Sequence, residues 1–174
     1  EYFQTSKLHI YAAGDIIGAP WLETIAAKEG NIAASNALTE NKIKMDYNNI
    51  PYAVFTTPSV ASVGMKESEY IDKFGTCLCR LVKMDRVPKA KAIKKAKGLI
   101  FMVIGHKDKK IKGVHILSEL AHEIIHEATL AVRQGLTIDE IIDMVHIFPT
   151  FSEAIKIAAQ TFKHDLKRMS CCVE

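Results

Sequence analysis

The sequence predicts an α+β fold: a small, mostly antiparallel sheet with helices over it, preceded by one strand and one helix of a different unit. Three observations lead there. Short apolar or alternating runs recur between residues 52 and 116, with turn signals between them. After residue 118 the pattern turns helical, punctuated by Gly135, Pro149 and two capping-box spacings. Ahead of both, one apolar run ends at Gly14-Asp15 and feeds an alanine-rich helical stretch.

Element by element, residues 8–13 read as a short buried strand, and the turn after it carries Gly18 and Pro20. Residues 22–38 read as a helix, with Ile25, Ala26, Ile32, Ala33 and Ala37 available for packing. Residues 39–50 are polar and form a linker and candidate domain boundary. Residues 52–55 and 60–63 read as strands around Thr56-Thr57-Pro58. Residues 66–74 read as a helix stopped by Gly75, and residues 77–84 alternate like a strand. Two apolar runs, 99–104 and 111–116, flank His106-Lys107-Asp108-Lys109-Lys110 and predict a hairpin. Ser118 is the candidate cap of a helix that stops at Gly135. Thr137 with Glu140, and Thr150 with Glu153, mark the starts of helices over 138–145 and about 151–167.

Composition narrows the function class. The chain has 174 residues, 48% of them hydrophobic and 25% charged, with a net charge of +3. That charge is too small to imply a nucleic-acid partner. No apolar run approaches the roughly 20 residues that cross a bilayer, so no membrane partner is expected. Four cysteines, as Cys77-x-Cys79 and Cys171-Cys172, make no disulfide framework and fit a reducing cytoplasm. The opening Glu1-Tyr2-Phe3-Gln4 leads at once into an apolar run. It reads either as a protease-tag remnant or as native sequence entered in mid-domain.

Four patterns bear on chemistry. The adjacent Cys171 and Cys172 are poorly placed for a relaxed disulfide, because neighbouring α-carbons lie about 3.8 Å apart and a bridge wants about 4.4–6.8 Å. Two thiols on a tail suit the capture of one soft metal ion, or else the tail is an idle chain end. His122-Glu123-Ile124-Ile125-His126 matches the zinc metalloprotease spacing. Its histidines, however, share a stripe with Thr129 and Arg133, while Ala121, Ile124, Ile125, Ala128 and Val132 form the apolar one. Cys77 and Cys79 point to one face of their strand. Lys83, Arg86, Lys89, Lys91, Lys94, Lys95 and Lys97 lack interleaved aromatics and read as a solvated surface.

The last pattern is the strand end Gly14-Asp15. A carboxylate there can accept hydrogen bonds from sugar or ribityl hydroxyls, with the next helix aiming its N-terminus at a ligand.

Taken together, these segments resemble the flavin-dependent pyridine-nucleotide disulfide oxidoreductases. Tyr-Ala-Ala-Gly-Asp at 11–15 resembles their second flavin-binding signature. Residues 50–58 with Ala61-Ser62-Val63-Gly64 resemble the opening of their C-terminal dimerisation domain. Residues 146–153 resemble the histidine-proline-threonine-x-serine-glutamate segment of lipoamide dehydrogenase, except that Phe148 stands in place of the catalytic histidine. Ala158-Ala159-Gln160-Thr161-Phe162, followed by Ser170-Cys171-Cys172, resembles the mercuric reductase branch, where that position is usually a tyrosine.

The resemblance implies a domain order. Residues 1–48 would be the last strand and helix of a flavin-binding domain. Residues 49–168 would be the dimerisation domain and residues 169–174 a vicinal-cysteine tail. It implies FAD and NADPH in a longer parent enzyme, with Gly14 and Asp15 at the flavin's ribityl chain and the main chain near Glu23 facing the ring. It implies a homodimer through residues 49–168, and Cys171 and Cys172 capturing Hg(II) for the partner subunit's redox dithiol. Glu153, which orients the histidine in relatives, would serve as a helix cap or interface residue. The chain alone, lacking G-x-G-x-x-G and C-x-x-C, would not catalyse the reaction. A lipoamide-dehydrogenase-type thiol enzyme, a zinc hydrolase using His122, Glu123 and His126, and a plain dimerisation module remain alternatives.

Overall fold

The computed structural model describes residues 2–164. The chain forms two compact units, Glu1–Asn48 and Asn49–Glu174.

The first unit is built on one helix, α1 (Glu23–Leu38). Ile25, Glu29, Ala33 and Asn36 are its buried positions, spaced by four, four and three as one helix face requires. Asn36 ties down the segments at both ends of the unit. Its Nδ2 donates to the Tyr2 and Ile43 carbonyls at 3.1 and 2.8 Å, and its Oδ1 accepts from the Ile43 N–H at 2.7 Å. The polar stretch after the helix is thereby folded back onto it. The expected strand over residues 8–13 does not form. Only Tyr11 bridges, to Gln4, and Leu8 and Ile10 are exposed. A buried strand needs ladders on its flanks, and the described residues of this unit supply one bridge.

The second unit is a five-stranded sheet in the order β1-β2-β5-β4-β3, antiparallel throughout. Its strands are β1 (Tyr52–Val54), β2 (Ser59–Gly64), β3 (Cys77–Lys83), β4 (Leu99–Gly105) and β5 (Ile111–Ser118). The predicted hairpin is present, with Ile100 opposite Ile116 and Met102 opposite Val114. Alternation puts Ile100, Met102, Ile104, Val114, Ile116, Ala61, Val63 and Val82 on one face, all in the core.

Helices cover that face. Those over the core are α3 (Pro88–Ala92), α4 (Ala121–Gln134), α5 (Ile138–Asp143) and α6 (Glu153–Gln160), whereas α2 (Glu67–Phe74) contacts the edge strand β3 and adds no residue to that core. The stripe Ala121, Ile124, Ile125, Ala128 and Val132 of α4 is buried against β2 and β5, as its periodicity demands. Ala154, Ile155, Ala158 and Ala159 of α6 pack over β3 and β4. Gly135 ends α4 in the left-handed conformation, φ 65°. Thr137 and Glu140 cap α5 reciprocally.

Local boundaries differ from the sequence expectation in three places. Ser118 completes β5 instead of capping α4, which starts after Leu120. The basic stretch read as plain surface contains a turn of 3₁₀ helix at Met84–Arg86 and α3, and buries Met84, Val87 and Ala90 in the core. Three apolar positions among the lysines are enough to anchor it. Helix α6 stops at Gln160, short of the expected 167, although residues beyond 164 lie outside those described.

Candidate functional site

In the first unit one of the sequence-predicted ligand residues, Gly14, sits against α1. Gly14 has φ 79°, and a β-carbon there would sit 3.3 Å from that of Ala26. Its N–H donates to Glu29 Oε2 at 2.7 Å. The Tyr47 hydroxyl donates to Glu29 Oε1 at 2.6 Å. Glu29 is only 2% exposed, so these two donors satisfy a buried carboxylate. Desolvation, followed by the Glu29 carboxylate, pushes the Tyr47 hydroxyl up to about 12, which keeps it a proton donor. The result pins the Gly-Asp turn to α1. Asp15 then opens a single 3₁₀ turn (Asp15–Ile17) with its carboxylate exposed, and Glu23 opens α1, also exposed.

In the second unit the segment before α6 presents Phe148. Its anchor is His146, whose side chain is 5% exposed. His146 Nδ1 lies 3.1 Å from the Met144 carbonyl and Nε2 lies 2.9 Å from Glu127 Oε1 on α4. Both neighbours are acceptors, so the arrangement favours the protonated ring, which can donate from both nitrogens. The Glu127 hydrogen bond accordingly holds the His146 pKa above its ordinary value, against desolvation. Phe148 is half-exposed two residues later, flanked by exposed Val145 and Ile147. Glu153 accepts from the Thr150 N–H at 3.0 Å, while Thr150 Oγ1 is buried without a partner.

The metalloprotease-like residues do not converge. Ser59 Oγ donates its one proton to the Ser118 carbonyl at 2.9 Å, so it accepts from His122 Nδ1, also at 2.9 Å. Phe55 lies against the same ring, 5.3 Å between centroids. His126 is exposed. Among the described residues, His122, Glu123 and His126 belong to no group of three ligands within reach of one ion. A catalytic zinc needs three protein ligands and an open position.

Residues 50–159 match the family described as pyridine nucleotide-disulphide oxidoreductase, dimerisation domain. The chain belongs to this family. The dimerisation domain thus accounts for the second unit's sheet and helices, the helix carrying His122 and His126 among them. The whole chain is also similar to curated mercuric reductases. It is 40% identical to the one from Staphylococcus aureus over 99% of this chain and 31% of that protein. It is 35% identical to the one from Streptomyces lividans over 99% of this chain and 36% of that protein. Among solved structures, LpdA from Mycobacterium tuberculosis superposes with a TM-score of 0.79 at 27% identity, over 94% of this chain and 36% of that one. The HOCl-induced flavoprotein disulfide reductase RclA from Escherichia coli shares the fold, with a TM-score of 0.86, 24% identity, and coverage of 93% of this chain and 38% of that one. The chain spans about a third of the length of these curated relatives.

Several site residues escaped the sequence reading. Glu29 sits on the buried stripe of α1, and that periodic position among apolar neighbours was the available signal. The pair of Glu127 and His146 is 19 residues apart and left no spacing signature. Cys171 and Cys172 lie outside the described residues.

Proposed function

We propose that this chain is the C-terminal part of a flavin-dependent mercury(II) reductase, and that the longer protein reduces Hg(II) to elemental mercury with NADPH. The observation that carries the reading is the similarity to mercuric reductases, 34–40% identical over almost the whole chain. The phenylalanine at 148 supports it. A lipoamide-dehydrogenase-type reaction needs a proton carrier at that place, and a phenyl ring cannot carry one.

The residues present fit a flavin in the first unit. Gly14 is held in a tight turn by a buried carboxylate. That turn delivers the exposed Asp15, an acceptor suited to ribityl hydroxyls. Ile25 and Ala26 donate to the Leu22 carbonyl, so the N–H groups of Glu23 and Thr24, at the very start of α1, would offer positive partial charge to an electron-rich ring edge. Bound FAD would supply the relay that passes two electrons from nicotinamide to the redox dithiol. This chain's own part is to hold, orient and deliver. Asp15 accepts hydrogen bonds, and the His146–Glu127 pair fixes the loop carrying Phe148. The second unit makes the homodimer. Cys171 and Cys172 take Hg(II) as thiolates and pass it by ligand exchange to the partner subunit's dithiol. The domain order proposed is a flavin-domain piece over 1–48, the dimerisation domain over 49–168 and the delivery tail over 169–174, acting in the cytoplasm.

The test is Hg(II)-dependent NADPH oxidation by the full-length protein in the presence of a small competing thiol. The expected result is turnover that falls at least tenfold in Cys171→Ala/Cys172→Ala. Absence of Hg(II)-dependent turnover in the unaltered protein, with dihydrolipoamide oxidised instead, would overturn the reading.

A further inference from the structure

Strand β3 sits at the sheet edge, and its two faces differ. Leu78 and Val82 face the helix-covered core. Cys77 and Cys79 lie on the opposite face, opposite Gly105 and Val103 of β4. Both are half-buried, and their sulfurs converge to 2.8 Å. Near them stands Glu67, in the first turn of α2 and exposed. One ligand atom from each of the three side chains lies within 4.8 Å of the others. Among the described residues it is the one such group of three. Neither the dimerisation-domain fold nor the delivery tail has a use for it.

Chemistry restricts what the cluster can do. Alternate residues of an extended strand are about 6.6 Å apart, at the upper limit of about 6.8 Å for a disulfide. An intrastrand bridge is therefore poorly matched to a strand that keeps its full ladder to β4. A bound cation relaxes that demand. With metal–sulfur bonds of about 2.3 Å, two sulfurs sharing a tetrahedral ion stand roughly 3.7 Å apart. Small χ1 rotations of both cysteines open the present pair to that distance and leave the backbone untouched. Thiolates select soft and borderline ions, and a single carboxylate is tolerated by zinc-like ions. Glu67 is exposed and one side of the cluster faces solvent, so an ion has a way in and a position for water.

We propose that Cys77, Cys79 and Glu67 form a second thiol-based metal site, which binds one thiophilic divalent cation of the zinc, cadmium and mercury class. The site is independent of Cys171 and Cys172 and does not rest on the mercury-reduction reading. Binding exchanges thiol protons for metal: M²⁺ takes two thiolates and one carboxylate, and two protons leave.

The experiment titrates the reduced full chain, in the Cys171→Ala/Cys172→Ala background, with Cd(II), and follows the sulfur-to-metal charge-transfer band in the ultraviolet. The expected result is one Cd(II) per chain that also protects Cys77 and Cys79 from alkylation, read by peptide mass spectrometry. Affinity should fall at least a hundredfold in Cys79→Ala and about tenfold in the surface variant Glu67→Gln, which leaves the strand intact. No stoichiometric Cd(II) in that background overturns the site. So does Cd(II) binding that survives Cys79→Ala or leaves both thiols open to alkylation. Unchanged affinity in Glu67→Gln removes the carboxylate from the ligand set. Because the tail is absent throughout, failure here leaves the delivery role of Cys171 and Cys172 standing, and failure of that role leaves this site standing.

Discussion

Two histidines of the second unit show how local partners decide charge. His146 faces two acceptors, and the Glu127 hydrogen bond raises its pKa. His115 is buried. Its Nε2 lies 3.2 Å from the Met65 carbonyl, so that nitrogen carries the proton and Nδ1 accepts from Ser62. Burial therefore lowers its pKa and keeps the ring neutral. The two pull stability in opposite directions. The His146 contribution is complete below the ordinary histidine value of about 6.5 and disappears as pH rises through the raised folded value. For His115 the unfolded chain takes up the proton first, so stability falls as pH drops through about 6.5 until the lowered folded value is reached. Glu127→Gln isolates the first effect. The His146 ring resonance should then titrate at lower pH than in the parent chain, as followed by NMR. Urea unfolding between about pH 5.5 and 8.5 should show the variant's deficit largest at the acid end and smallest at the alkaline end. A deficit of equal size at every pH would mean that the ion pair is not what holds the loop. Neither assignment was legible in the sequence, because Glu127 and Met65 lie 19 and 50 residues away from the rings they meet. The stripe of α4 that buries its apolar residues was legible, because it depends on spacing alone.

Elements followed the sequence where local chemistry set them and departed from it where a neighbour did. The β4–β5 hairpin, the Thr137 cap and the Gly135 stop are local devices, and all formed. Residues 8–13 form no strand because their ladder partners are missing from this unit. The short helix α3 forms inside a lysine-rich run because Val87 and Ala90 reach the core. Glycines separate the two kinds of cause. At Gly135 the requirement is conformational: φ is 65°, and an added β-carbon would meet only the Lys110 side chain at 3.6 Å. Gly135→Ala should cost about 1 kcal/mol, the penalty for a left-handed alanine. At Gly113, on β5, an added β-carbon would land 2.0 Å from the Met65 carbonyl oxygen. Relief there requires β2 and β5 to part where the Met65 N–H meets the Lys112 carbonyl at 2.9 Å. Gly113→Ala should cost roughly 3 kcal/mol or more. Denaturant midpoints rank the two. Equal losses would show that the end of the β2–β5 pairing yields more easily than its geometry implies.

On the scale of the whole second unit, the apolar side chains divide between a core and an exposed set. The helix-covered core takes the aliphatic residues of β2, β3, β4 and β5, α4 and α6. Even so, Phe55 is 79% exposed, Val145 89% and Ile147 80%, with Phe148 beside them in sequence. The loop holding Val145, Ile147 and Phe148 is not slack, because the buried His146 ties it to Glu127 of α4. A rigid loop loses little entropy on docking, which is the condition under which exposed apolar side chains convert into affinity. Covering one such side chain is worth about 1.5–3 kcal/mol, and twofold symmetry counts each one twice in a homodimer. Val145→Glu and Ile147→Glu replace that gain with the cost of burying a carboxylate. Sedimentation equilibrium of the chain should therefore show a dimer whose dissociation constant rises at least a hundredfold in either variant, since every 1.4 kcal/mol is tenfold. Circular dichroism should be unchanged, because neither side chain reaches the core. Lys107→Glu, on the β4–β5 turn, is the control and should leave dimerisation as it was. If Ile147→Glu dimerised as tightly as the parent chain, the interface would have to lie elsewhere on the unit. The tie between His146 and Glu127 would then serve the loop's own stability and not its docking.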